Sequence, residues 1–66
     1  MKGIFKVRDI RLFLGLTQKE MAEALGISTN TYINKEKKNK FYFSEIKELS
    51  ESFGISLEAI DAEEEK

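Results

Sequence analysis

The sequence predicts an all-α fold, five short helices closed around one core. Three observations lead there. Apolar residues recur three and four apart in several short segments, the spacing that gathers side chains on one face of a helix. Glycines and capping residues punctuate those segments at short intervals. There is no proline among the 66 residues, and no alternating apolar run is long enough to argue for a sheet. A chain of this length holds one core and no second domain, with residues 6–61 as that core and 62–66 as an acidic tail expected to fray. So small a core leaves a net stability of only a few kcal/mol, which favours efficient helix packing, a partner subunit, or both.

The first helix runs from about Lys6 to Leu14, with Val7, Ile10 and Leu14 on one face and Gly15 as its stop. Thr17-Gln18-Lys19-Glu20 is a capping box: the threonine oxygen and the glutamate carboxylate satisfy free amides at a helix start. The second helix therefore begins there, buries Met21, Ala22 and Leu25, and stops at Gly26. Ile27 plugs the turn, and Ser28 caps a third helix from Thr29 to Glu36. Threonine, asparagine and the β-branched Ile33 are poor helix formers, so this helix is better explained by what it touches than by its own stability. Phe43, Ile46, Leu49 and Phe53 mark a fourth helix that ends at Gly54. Ser56 caps a short fifth one carrying Leu57 and Ile60.

Composition excludes several functions. With no cysteine and no histidine, disulfides, thiolate metal sites and the usual general base are absent. No glycine-rich phosphate loop and no carboxylate pair beside a nucleophile occurs. The chain is therefore expected to be no enzyme, and to need neither metal nor cofactor. Lys6, Arg8, Asp9 and Arg11 interrupt the mildly apolar start before it reaches the length of a signal sequence or a membrane span, so a cytoplasmic location is expected.

The net charge of −1 hides a lopsided distribution. Residues 1–47 hold ten basic and five acidic side chains, a balance of +5, whereas 48–66 hold seven acidic and one basic, a balance of −6. A basic stretch from Lys35 to Lys40 can neutralise phosphates, although a solvated lysine run reads much the same.

Two helices joined by a short glycine-containing turn form a helix-turn-helix, and 18–36 has that layout. The run Leu16-Thr17-Gln18-Lys19-Glu20-Met21-Ala22-Glu23-Ala24-Leu25-Gly26-Ile27-Ser28 resembles the lambda-repressor and Cro-like (XRE-type) family of DNA-binding domains. The likeness continues at Gly54-Ile55-Ser56-Leu57-Glu58-Ala59-Ile60 and covers Val7 to Ile60. It implies a sequence-specific regulator of transcription, of the phage-repressor kind, in which helices two and three form the motif and helix three enters the major groove. It places Gln18 by a phosphate. It also pairs an arginine of helix one, here Arg11, with a glutamate ending helix three, here Glu36.

With Tyr32 turned inward, Thr29, Asn30, Ile33, Asn34 and Lys37 project outward together. Asparagine can pair bidentately with adenine, and threonine can bond a base edge or touch a thymine methyl. Base contact is accordingly assigned to Thr29, Asn30, Ile33 and Asn34, which suits an A·T-rich half-site, with solvation as the alternative for the asparagines and a dimer contact for Ile33. Lys35, Lys37, Lys38, Asn39 and Lys40 follow as backbone contacts. In two places the chain departs from the family pattern: Lys35 stands where an apolar residue is common, and Lys38 where the glycine after the third helix is usual. Either the turn there is unusual or the helix runs on by a residue.

A homodimer on DNA is expected, with Phe53, Leu57 and Ile60 as its candidate surface. The aromatic run Phe41-Tyr42-Phe43 offers a possible protein partner site. It supports the rival reading, a protein-binding module such as an antitoxin or anti-repressor partner.

Overall fold

Side-chain chemistry sets where each helix starts and stops. The computed structural model describes all 66 residues. Its elements, in order, are strand β1 (Phe5–Lys6), helix α1 (Val7–Leu14), helix α2 (Gln18–Leu25), helix α3 (Thr29–Lys38), strand β2 (Lys40–Tyr42), helix α4 (Phe43–Phe53), a 3-10 turn (Leu57–Ala59), strand β3 (Ile60–Asp61) and strand β4 (Glu63–Glu65). At the start of α2 the Glu20 N–H donates to Thr17 Oγ1 at 3.0 Å, and the Thr17 N–H donates to Glu20 Oε1 at 2.9 Å. Ser28 Oγ accepts the Thr31 N–H at 3.2 Å to open α3. The glycines after α1, α2 and α4 are left-handed, with φ of 72°, 69° and 66°.

At the end of α3 the helix runs on two residues past Glu36 to Lys38, and Asn39 takes the left-handed position with φ 51°. Asparagine tolerates that conformation because its short amide can bond locally. Here both ends of the amide are engaged. Asn39 Oδ1 accepts the Val7 N–H at 3.3 Å, and Nδ2 donates to the Asp61 carbonyl at 2.6 Å. One side chain thus closes α3 while tying it to the start of α1 and to β3.

The all-α expectation is corrected in two respects. The chain has four α-helices, and the expected fifth is a single 3-10 turn of three residues, after which Ile60 is extended at φ −91°, ψ 126°. Two parallel two-stranded sheets are also present. In one, β1 pairs with β3 in the register Phe5 to Ile60 and Lys6 to Asp61. In the other, β2 pairs with β4 in the register Lys40 to Glu63, Phe41 to Glu64 and Tyr42 to Glu65. The acidic segment is therefore not frayed. Ala62 is buried, its N–H donates to the Met1 carbonyl at 3.0 Å, and the Met1 amino group donates back to its carbonyl at 2.9 Å. Burial of Ala62 and pairing of these backbone groups offset the entropy of ordering the segment.

The core gathers Val7 and Ile10 from α1, Met21 and Ala22 from α2, Tyr32 from α3, Phe41 from β2, Ile46 and Leu49 from α4, and Ile60 and Ala62 from the last segment. The Tyr32 and Phe41 rings lie 6.0 Å apart at 48°. Two expectations change with this list. Ile60 is wholly inaccessible, so it cannot belong to a dimer surface, and Phe53 and Leu57 are half-buried against the core. Phe41 is core as well, which leaves only Tyr42 and Phe43 of the aromatic run exposed. The most exposed apolar side chains are elsewhere: Phe13 (91%) and Ile4 (80%), with Leu12 and Phe5 about half exposed.

Candidate nucleic-acid interface

The α2–α3 pair is held by one carboxylate. Glu36, on the inner face of α3, is buried and accepts hydrogen bonds from three side chains. Arg11 of α1 grips it in a fork, Nε to Oε2 at 2.7 Å and Nη2 to Oε1 at 3.1 Å, while Arg11 Nη1 donates to the Leu16 carbonyl at 3.0 Å. Gln18 Nε2, from the first turn of α2, donates to Oε1 at 3.1 Å. The Tyr32 hydroxyl, one turn earlier on α3, donates to Oε2. Helices α1, α2 and α3 therefore meet at a single anion.

The electrostatics follow from that geometry. Burial alone would push the Glu36 carboxyl up, but the hydrogen bonds from Arg11, Tyr32 and Gln18 outweigh it and hold it below the usual carboxylate value. The same bond to Glu36 raises Arg11 further. Burial, and then Glu36, push the Tyr32 phenol well above its ordinary value. The centre is thus a fixed arginine–glutamate pair with a neutral phenol.

Pinned from below, α3 turns the opposite face outward. Asn30, Ile33, Asn34 and Lys37, at spacings of three and four, are all exposed, and Thr29 is half-buried at the start of the helix. Beside this face runs a polar groove of about 680 Å³, lined among others by Lys6, Arg8, Gln18, Ile33, Lys37 and Lys38. It brings the N-terminal turns of α1 and α2 alongside α3. Lys6 and Arg8 are functional candidates that sequence reasoning passed over, because there they serve only to interrupt an apolar run. The available signal is their placement at the start of a helix in the basic part of the chain.

Of the side chains expected at the phosphate backbone, only Lys37 and Lys38 are freely exposed. Gln18 lines the groove but spends its amide on Glu36. Asn39 is committed to Val7 and Asp61. Lys35 points away from the groove: its Nζ lies 3.0 Å from Glu45 Oε1, 2.6 Å from Glu65 Oε1 and 4.1 Å from the Tyr42 ring centre. Burial alone would lower its pKa, but the hydrogen bonds to Glu65 and Glu45 outweigh that and raise it. Lys35 is an internal tie rather than a backbone contact, because α4 and β4 each deliver a carboxylate to it. Lys40 lies 3.9 Å from Glu63 Oε1 in a looser, exposed pair.

No group of His, Cys, Asp or Glu side chains is arranged to hold a metal, and no helix is long and apolar enough to cross a membrane. Three helices locked at one carboxylate, with a short turn between α2 and α3 and a polar, basic-edged outer face, define a helix-turn-helix domain. The helix-turn-helix domain family matches residues 5–63, and the chain belongs to that family. No curated protein and no solved structure matches it.

Proposed function

We propose that this protein is a sequence-specific, double-stranded-DNA-binding regulator of transcription, a repressor of the phage type, that places α3 in the major groove. The observation that carries the reading is the split of α3 into two faces. Tyr32 and Glu36 are buried and locked, while Asn30, Ile33, Asn34 and Lys37 stand exposed beside a groove in which Lys6, Arg8, Lys37 and Lys38 outnumber Asp9 and Glu36. A helix held rigidly by one face and polar on the other suits base readout, since asparagine matches adenine and Thr29 or Ile33 can meet a thymine methyl.

Lys37 and Lys38, joined by Lys6 and Arg8 across the groove, would meet phosphates and set the register. Such a domain reads one half-site, so it acts as a homodimer on a two-fold-symmetric operator with half-sites about 34 Å apart. It works in the cytoplasm, without a cofactor and without catalysis. The protein-partner reading is less well supported, because Phe41 has left the surface.

Fluorescence anisotropy on a selected duplex tests the assignment. Asn30→Ala or Asn34→Ala is expected to cost about 1–3 kcal/mol of discrimination at one base pair, roughly 5- to 150-fold. Lys37→Ala is expected to weaken all duplexes alike and to reduce the salt slope by about one unit. Asparagine variants that bind every sequence as the wild type does would remove α3 as the reader. Sedimentation with and without the symmetric duplex tests the dimer.

A further inference from the structure

The acidic strand β4 lies against the basic end of α3. Its backbone pairs in parallel with β2, opposite Lys40, Phe41 and Tyr42. Successive strand residues face opposite sides, so Glu63 and Glu65 share one face and Glu64 takes the other. On the shared face Glu65 Oε1 lies 2.6 Å from Lys35 Nζ, which Glu45 of α4 also meets at 3.0 Å, and Glu63 Oε1 lies 3.9 Å from Lys40 Nζ. Glu64 makes no ion pair. Lys35, Lys38, Lys40 and Glu65 line a polar cavity together with Thr31 and Asn34, so the Glu65 carboxylate sits beside a candidate base-reading residue. Two of the four lysines between residues 35 and 40 are thereby answered from within the chain.

We propose that Glu63 and Glu65 are specificity-determining residues: they hold Lys35 and Lys40 as internal surrogates for phosphate, which lowers sequence-independent affinity and leaves a larger share of binding to the base contacts of α3. The inference rests on the DNA-binding reading above. Its physical basis is that each lysine neutralising a phosphate steepens the dependence of log K on log salt by about 0.9 and strengthens binding to every sequence alike. A lysine already paired with a carboxylate adds less of both, and the carboxylate itself repels the backbone.

The test is binding by the full chain, as wild type and as Glu63→Gln/Glu65→Gln, to a random-sequence duplex and to the best selected duplex, across a salt series. Glutamine keeps the shape, and the β2–β4 backbone pairing does not need the charge. The double variant is expected to bind random duplex on the order of tenfold more tightly at low salt, with a slope steeper by about one unit, since Lys35 keeps Glu45, and a smaller ratio of specific to non-specific affinity. Glu64→Gln removes one charge from the other face, the same change as Glu63→Gln alone, and is expected to leave the slope near that of the wild type.

Should the double variant melt early, Glu63→Gln alone, at the exposed pair, is expected to steepen the slope by about one unit. Unchanged slopes and ratios in the Glu63 and Glu65 variants overturn the proposal. So does a shift from Glu64→Gln equal to that from Glu63→Gln alone, since net charge would then be the cause. Wild-type protein that binds no duplex overturns the DNA-binding reading and this proposal with it, whereas binding with unchanged slopes overturns the proposal alone.

Discussion

Replacing Glu36 by glutamine tests what the carboxylate shared by α1, α2 and α3 contributes to the fold. The amide has the same shape, but it removes the negative charge that Arg11, Gln18 and Tyr32 converge on. The side chains of Arg11 and Glu36 are 11% and 4% exposed, so the guanidinium would be left unpaired in a nearly dry site. Breaking a buried pair from one side costs about 3–5 kcal/mol, because the remaining charge loses its partner without regaining water. A domain of this size has a total stability of roughly 3–10 kcal/mol, at about 0.05–0.15 kcal/mol per residue. The substitution is therefore expected to remove a third or more of it.

With about 4–8 °C of melting temperature per kcal/mol in so small a domain, the midpoint should fall by 12 °C or more, or the chain should be unfolded at 37 °C. Thermal unfolding followed by circular dichroism, with urea titration for the free energy, measures this directly. The double replacement Arg11→Met/Glu36→Leu removes both charges and is expected to be more stable than Glu36→Gln. A loss under about 1 kcal/mol in Glu36→Gln, or a double variant as unstable as the sum of its singles, would refute the view that α3 is held by this one carboxylate.

The same site sets the response to acid. Glu36 is held below the ordinary carboxylate value, as are Glu20, through its bonds to Thr17, and Glu65, through Lys35. A carboxylate with a depressed folded-state pKa contributes stability that is present above its unfolded value, about 4.3, and lost as pH falls through the folded one. Melting temperature should thus be steady above about pH 5 and fall steeply below 4, with a shallower fall in Glu36→Gln. At Asn39, alanine loses two hydrogen bonds and must also adopt positive φ, whereas glycine loses only the bonds. Asn39→Ala should therefore be less stable than Asn39→Gly by about 1 kcal/mol, read from paired urea melts. At Gly3 an added Cβ would run into the backbone of Ala59 and Ile60, close to where the Gly3 N–H donates to the Ile60 carbonyl at 3.0 Å. Gly3→Ala should speed amide exchange at Gly3 and Ile4 by more than tenfold while leaving α2 and α3 protected.

The helices were legible in the sequence because their signals are local. Thr17 and Glu20 satisfy each other across three residues, and Gly15, Gly26 and Gly54 mark stops that need no knowledge of the rest of the chain. The outward face of α3 was legible from spacing once Tyr32 is turned inward, except for Thr29, which is half-buried. The strands were not, because segments of two or three residues carry no period, and β1 pairs with a strand 55 residues away. Their discovery changes the site. Charge pattern alone groups Lys35 with Lys37 and Lys38, but the fold brings it Glu45 from α4 and, through the β2–β4 register, Glu65, and together they withdraw it from the surface. Asn39 likewise reads as a polar residue in a basic run until the fold brings Val7 and Asp61 to its amide. Ile60 follows Leu57 at helical spacing, yet it belongs to a strand because the chain becomes extended after Ala59.

The central claim is that the exposed face of α3 reads DNA sequence, and selection from a pool of random duplexes tests it most directly. The bound fraction is sequenced after rounds at low and at physiological salt, with wild type and Asn34→Ala in parallel. The expected result is one two-fold-symmetric site, rich in A·T pairs, that persists at ~150 mM salt and degenerates at a defined base pair in the variant. Binding that enriches no sequence and disappears at ~150 mM salt would contradict the claim, and would reduce the basic groove to a surface that merely attracts phosphate.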